Sequence, residues 1–250
     1  MRSALGAAWR AWALAALAQA GCAPPASPPL PTQAEWTRAR EWWGRLRASE
    51  PTTPSSAVVH VSLREPHTGR TFDARGAVAV DPHRALRMIL VGPGGGTALD
   101  VWATHEHWRF EVPPLHLLRR GGRDDDASVP IGFFRWWFLA PLEGRLLTSV
   151  LPGARAQRLV LRSGPATVDV TDSAGADAEH VVVASRLVGE ILVHLELHGS
   201  ALGLSAGDRT VYDEPASGVH VEVSVESTGG APDVAAFDDP DLAAGASGPS

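Results

Sequence analysis

Two closely spaced histidines, His105 and His107, are the residues whose types and spacing first suggest chemistry. In an extended strand, residues two apart point to the same side, so both imidazoles could contact one metal ion. Glu106 would then point away, and Glu111 could supply a third ligand. A zinc site needs three or four ligands, and the sequence places no others nearby. We therefore predict no metal site and no cofactor.

The residues of a nucleophilic enzyme are present, but their order in the chain does not predict a catalytic triad. Serine, histidine and aspartate are scattered over the predicted strands, and the single cysteine is Cys22. Catalysis needs a nucleophile and a base within hydrogen-bond reach of each other. Since no spacing in the sequence brings such a pair together, we predict that the protein is not an enzyme.

The single cysteine lies where a lipid could be attached. A basic start and an apolar run over residues 11–18 precede the small residues Ala20 and Gly21, which is typical of a secretory signal. The run is too short to span a bilayer. Ala20, Gly21 and Cys22 resemble a bacterial lipobox, although Gln19 replaces the aliphatic residue of that motif. We predict acylation of Cys22 after cleavage; the alternative is an ordinary signal peptide with cleavage nearby and an incidental cysteine.

An unusually aromatic segment follows in the middle of the chain, with five large rings within six residues: Phe133, Phe134, Trp136, Trp137 and Phe138. Five rings cannot all lie on one side of a helix, so some are expected to face solvent, a membrane or a cavity. An acyl chain needs apolar walls, and Met88 could extend them as a pliable filler. We predict that these six residues form a hydrophobic ligand site; the alternative is that the rings fill the core.

The rest of the sequence predicts the elements that position these groups. Residues 32–47 have the spacing of an amphipathic helix, which Thr32 and Glu35 begin as a capping box. The period then changes to two, and alternating runs predict antiparallel strands. The two groups of strands are separated by an irregular polar link over residues 113–128 and by short helices over residues 129–139 and 142–151.

The predicted fold class is α+β, mostly β. So many twisted strands must curl to hide their edges. We therefore expect an incomplete antiparallel β-barrel of about 9–11 strands, with a few helices filling its concave face. The predicted organisation is a signal peptide (1–21), a proline-rich spacer (22–31), a single domain (32–240) and a disordered tail (241–250).

Two stretches resemble the LolA/LolB-like lipoprotein-carrier fold. In residues 75–112, a Gly-x-Val strand that starts at Gly76 leads to Arg-x-x-x-x-Gly-Pro-x-Gly over residues 87–95. In residues 211–240, Pro215-Ala216-Ser217-Gly218 enters a final strand. The resemblance implies a half-barrel with helices as a lid over an apolar cavity for acyl chains.

The charge of the chain limits its partners. The formal net charge is −6 at pH 7, which argues against nucleic acid as a partner. We expect a monomer tethered to the bilayer through acylated Cys22, in the bacterial envelope at the outer membrane facing the periplasm. Its expected function is non-covalent binding of an acyl chain or another hydrophobic ligand in lipoprotein or lipid trafficking. The alternative is a structural or interaction lipoprotein with a collapsed core and no ligand.

Overall fold

The structure is a computed structural model. It describes residues 31–64, 69–122, 125, 131–135, 139, 142, 144–153, 156–174, 179–187, 190–199 and 204–245. From Gln33 onward, the described residues form one compact unit. The predicted signal peptide and the predicted spacer, apart from Pro31, lie outside the described residues.

The described residues form thirteen strands. In chain order they are β1 Ser55–Arg64, β2 Thr71–Asp81, β3 Ala85–Val91, β4 Thr97–Thr104, β5 His107–Val112, β6 Leu117–Gly122, β7 Arg145–Gly153, β8 Ala156–Ser163, β9 Ala166–Ala174, β10 Glu179–Leu187, β11 Glu190–Gly199, β12 Arg209–Glu214 and β13 Val219–Thr228. They make one antiparallel sheet in the order β6-β5-β4-β3-β2-β1-β13-β12-β11-β10-β9-β8-β7. The predicted incomplete antiparallel barrel is confirmed, with thirteen strands rather than 9–11.

The strands bury one face of the sheet. On β3, Leu86 and Met88 are completely buried, whereas Ile89 and Val91 on the opposite side are 37% and 41% exposed. Every strand contributes to one hydrophobic cluster on the buried side, which we call the inner face. The opposite side is the outer face. This alternation is the period-two pattern of a sheet with one wet side.

Helices are few. They are α1 Gln33–Ala48, α2 Ile131–Phe134 and α3 Pro240–Gly245. The predicted first helix is confirmed, and its Ala39 and Leu46 are buried in the inner-face cluster. Phe133 and Phe134 of α2 belong to the same cluster, so α1 and α2 both pack on the inner face. No helix among the described residues is both long and apolar enough to cross a membrane.

Two segments between the groups of strands differ from the prediction. Residues 142–151, predicted as a short helix, lie largely in β7. Its pairing with β8 shifts register between Leu146 and Thr148 and again before Gly153, and such bulges erase the alternation that identifies a strand. The predicted irregular link contains β6, which pairs with β5 alone at the edge of the sheet. An edge strand needs no fully buried face, so its sequence does not alternate.

The predicted disordered tail begins instead with α3. The Asp239 side chain accepts a hydrogen bond from the Asp241 amide at 2.9 Å, and Pro240 is the first helical residue. Both features are typical of a helix start. Residues 246–250 lie outside the described part of the chain. Residues 234–245, from the 3-10 turn Val234–Phe237 through α3, are here called the C-terminal strap.

Candidate functional site

Three of the six predicted ligand-site residues lie within one cluster on the inner face. Met88 and Phe133 are fully buried and Phe134 is 3% exposed. The Phe133 and Phe134 rings meet edge to face, with centroids 5.2 Å apart. Trp136, Trp137 and Phe138 lie outside the described residues, as does Cys22. The described part of the aromatic segment therefore packs as an apolar wall.

The single tyrosine of the chain lies against this wall. Tyr212, on β12, is fully buried, and its ring meets Phe133 edge to face at 5.2 Å between centroids. A Cβ atom added at Gly132 would lie 2.9 Å from the Tyr212 hydroxyl oxygen. Burial, with a smaller contribution from the Glu214 charge, raises the pKa of Tyr212 well above its usual range. The side chain is therefore a neutral phenol.

A polar cluster lies on the same face under α1. The Trp42 indole nitrogen donates a hydrogen bond to Asp172 on β9, a residue that is only 4% exposed. On β8, which pairs with β9, the buried Gln157 donates a hydrogen bond to Ser149 of β7. Burial raises the pKa of Asp172, and the Trp42 hydrogen bond and the Arg45 charge lower it by less. This end of the inner face is polar, whereas the wall near Phe133 is apolar.

Substituting Asn for Asp172 is expected to change how stability depends on pH. Because the pKa of Asp172 is raised on folding, the wild type loses stability relative to Asp172→Asn as pH rises from about 4 through the folded pKa. The difference grows by about 1.4 kcal/mol for each unit by which the pKa is raised. Urea unfolding at pH 4 and pH 7 measures it.

The companion substitution Trp42→Phe tests the cause of this pH dependence. It removes the hydrogen bond that favours the charged carboxylate, so the loss of stability between pH 4 and pH 7 should become steeper than in the wild type. A difference between wild type and Asp172→Asn that stays constant over this pH range would contradict the raised pKa.

A second cluster of polar and charged side chains lies on the outer face of β4, β5 and β6. Arg109 of β5 donates to Glu111 at 2.6 Å and to Asp241 of the C-terminal strap at 3.2 Å. Its side chain is only 11% exposed. Asp241 also pairs with Arg120 at 2.7 Å, and the indole of Trp102 donates to the Phe237 carbonyl at 3.0 Å. These contacts fasten the strap across β4, β5 and β6.

An open pocket of about 300 Å³ lies beside the strap. Its lining carries both signs of charge together with indole rings: Trp102, His107, Trp108, Arg109, Arg120, Asp239 and Asp241. Arg109 and Asp241 already pair with one another at 3.2 Å. The pocket therefore belongs to the attachment of the strap and is separate from the wall formed by Phe133.

The histidine pair does not lie along one strand. Thr104 ends β4 and His107 begins β5, and the Thr104 hydroxyl accepts hydrogen bonds from the Glu106 and His107 amides at 3.3 and 2.9 Å. His105 therefore belongs to the turn that joins the two strands. In the described part of the chain, no three His, Cys, Asp or Glu side chains converge as metal ligands.

The prediction of no enzyme assumed that the sequence has no Gly-x-Ser-x-Gly nucleophile elbow, but one serine does fit that pattern of residues. Residues 203–207 read Gly-Leu-Ser-Ala-Gly. A nucleophile elbow needs a strand, a sharp turn and then a helix, but this segment leads into strand β12. The Ser205 amide donates to Asp208 at 2.8 Å, which fixes it in an exposed turn. The local geometry is not that of a nucleophile elbow.

Comparisons with known proteins identify the fold. No family model matches the sequence, and no curated protein matches it. Among solved structures, a LolA superfamily protein from Nitrosomonas europaea is 10% identical with a TM-score of 0.52, covering 82% of this chain and 99% of that one. A Vibrio parahaemolyticus domain named for outer membrane lipoprotein sorting is 10% identical, with a TM-score of 0.48 and coverage of 82% and 98%. This chain has a LolA/LolB-like fold, as the resemblance implied.

Proposed function

We propose that the protein is an envelope lipoprotein that binds an acyl chain or another hydrophobic molecule non-covalently on the inner face of its sheet. The observation that carries the proposal is the apolar wall formed by Met88, Phe133 and Phe134 inside a LolA/LolB-like half-barrel. Fold alone does not determine function, so the chemistry of this wall has to supply the argument. An apolar wall of flat rings offers an acyl chain a surface free of competing water.

The proposed mechanism is partition without a chemical step. A chain that leaves water for the inner face gains about 0.8 kcal/mol for each buried methylene. Because Phe133 and Phe134 are already packed, the ligand must separate α2 from the strands in order to enter. The free energy of binding is then the gain from the acyl chain minus the cost of separating these rings.

Cys22 gives the proposed location. The acylated cysteine would tether the domain to the bilayer, and we propose the outer membrane facing the periplasm as its site. A single acyl chain anchors only weakly, so a stable anchor needs more than one chain. The residues after Cys22 are rich in proline, which favours an extended spacer between anchor and domain.

The packing of the same rings favours one second candidate. Met88, Phe133 and Phe134 are nearly inaccessible, as expected if the inner face is a closed core. The protein would then be a structural or interaction lipoprotein that acts through its surface. The two candidates differ in whether the inner face accepts a hydrophobic molecule.

A chain-length series tests ligand binding. Saturated fatty acids of increasing length should displace a fluorescent acyl probe with affinities that rise about fourfold per methylene, the factor that corresponds to about 0.8 kcal/mol. The rise should stop when the chain exceeds the wall. Absence of probe uptake by gently delipidated full-length protein would instead favour the structural candidate.

Mass spectrometry of protein purified from its native membrane tests the anchor. We expect an N-terminal peptide that begins with Cys22 and carries acyl chains, palmitate among them. The Cys22→Ser variant should lose both this mass and its membrane fractionation. A mature N-terminus at another residue would contradict acylation of Cys22.

A further inference from the structure

The Tyr212 hydroxyl is a polar group inside an apolar wall. The residue is fully buried, and its hydroxyl has no hydrogen-bond partner among the described residues. Buried polar groups are nearly always hydrogen-bonded, because an unmade hydrogen bond leaves the cost of desolvation uncompensated. A phenylalanine would fill nearly the same space without this cost, so the hydroxyl needs an explanation that packing does not give.

The hydroxyl lies just beneath the surface of the domain. Gly132 of α2 is exposed, yet a Cβ atom there would lie 2.9 Å from the hydroxyl oxygen. Gly132, which has no side chain, therefore lies next to the hydroxyl. The Phe133 ring flanks it on the inner side, at 5.2 Å from the Tyr212 ring. Moving α2 away from the strands, as ligand entry requires, would open the hydroxyl and the apolar wall together.

The charge nearby selects the kind of ligand group that fits. Glu214, two residues further along β12, raises the pKa of Tyr212 together with burial, so the phenol keeps its proton and can donate it in a hydrogen bond. The same carboxylate repels an anion at this place. A neutral acceptor oxygen can accept the hydrogen bond from the phenol and is not repelled by Glu214. A free carboxylate can also accept the hydrogen bond, but its negative charge is repelled.

We propose that the Tyr212 hydroxyl is the polar contact of the ligand site and donates a hydrogen bond to the carbonyl oxygen of a neutral acyl ester. The ligand class is therefore an ester-linked acyl chain, in preference to a free fatty acid or a plain hydrocarbon. This inference rests on the proposed function, since it specifies the chemical group next to the acyl chain that the inner face binds.

The test compares two ligands of matched length on delipidated full-length protein. Methyl dodecanoate carries the ester and tetradecane lacks it, and each competes with a fluorescent acyl probe. The quantity compared is the ratio of the affinities for the ester and the alkane, because the alkane gains more from leaving water while one hydrogen bond with Tyr212 strengthens binding of the ester alone by about tenfold. Tyr212→Phe should lower the affinity for the ester about tenfold, leave that for the alkane unchanged and keep or raise the thermal midpoint.

The outcomes separate this inference from the proposed function. Wild-type protein that binds neither ligand overturns the proposed function. Wild type and Tyr212→Phe that bind the ester equally well overturn the inference alone, and so does a Tyr212→Phe variant that fails to fold, because the hydroxyl would then be structural.

Substitution of Gly132 provides a second, independent variant. The added Cβ of Gly132→Ala would lie where an acceptor must approach the hydroxyl, so the affinity for the ester should fall while that for the alkane does not. Combined with Tyr212→Phe it should cause no further loss, because both changes remove the same contact. Additive losses in the double variant would contradict the shared contact.

Discussion

The Gly76→Ala variant is expected to lose about 4 kcal/mol of unfolding free energy or more and to give a lower soluble yield than the wild type. A Cβ atom at this position would lie 2.0 Å from the Ile89 carbonyl oxygen and 2.7 Å from the Cα atom of Leu90. Both are backbone atoms of β3, so no side-chain rotation relieves the overlap. Gly76 also pairs with Val59 of β1 on its other side, which leaves β2 no free edge toward which to move.

The control is Gly94→Ala in the turn between β3 and β4. A Cβ atom there would meet nothing within 4 Å, so the unfolding free energy should change by less than about 0.5 kcal/mol. Urea unfolding followed by circular dichroism measures both variants, and the soluble yield gives a second reading. A folded Gly76→Ala protein with wild-type stability would mean that β2 and β3 separate more easily than their pairing implies.

Much of the fold could be predicted because a strand that is buried on one face has apolar residues at every second position of its sequence. On β11, Leu195 and Leu197 are buried, whereas the interleaved side chains of His194, Glu196 and His198 are 31%, 36% and 37% exposed, and the alternation is clear in the sequence. β12 does not follow this rule, so its sequence does not predict a strand: its inward residues are Thr210 and Tyr212, whereas an apolar valine lies between them. Hydrophobic alternation identifies a strand only where its inner residues are the apolar ones.

The candidate site could be predicted only in part. The density of rings drew attention to Phe133 and Phe134, which lie on the inner face. Tyr212 had no such signal, since a single tyrosine carries neither spacing nor repetition. Its contact with Phe133 depends on β12 lying beside α2, which brings together distant parts of the chain. The hydrogen bond from Trp42 to Asp172, across 130 residues, was hidden for the same reason.

The Arg109→Ala variant is expected to lose about 3 kcal/mol of unfolding free energy and to release the C-terminal strap. The guanidinium is 11% exposed and contacts three carboxylates, those of Asp100, Glu111 and Asp241. Removing one partner of a buried ion pair leaves the other charge uncompensated, which typically costs about 3–5 kcal/mol. The lower end applies here, because Asp100 keeps its contact with Arg87 at 2.6 Å and because the side chains of Glu111 and Asp241 are 32% and 33% exposed to water.

Two further variants separate the loss of stability from release of the strap. Arg75→Ala removes an exposed ion pair with Glu226, in which the arginine side chain is 66% exposed, and should cost less than about 1 kcal/mol. Asp241→Asn weakens the attachment of the strap but leaves no buried charge unpaired. It should therefore speed proteolysis within residues 234–245 and change the unfolding free energy by only about 1 kcal/mol.

Limited proteolysis and urea unfolding together decide what holds the strap. If Arg109 is the anchor, Arg109→Ala and Asp241→Asn both expose residues 234–245, and only Arg109→Ala destabilises the sheet strongly. If cleavage stays slow in both variants, the strap is held by the buried Phe237 and its hydrogen bond with Trp102. The ion pairs would then contribute little to the attachment of the strap. For the exposed Arg120 this agrees with the small energies typical of surface ion pairs. For Arg109, whose side chain is only 11% exposed, it would be unexpected.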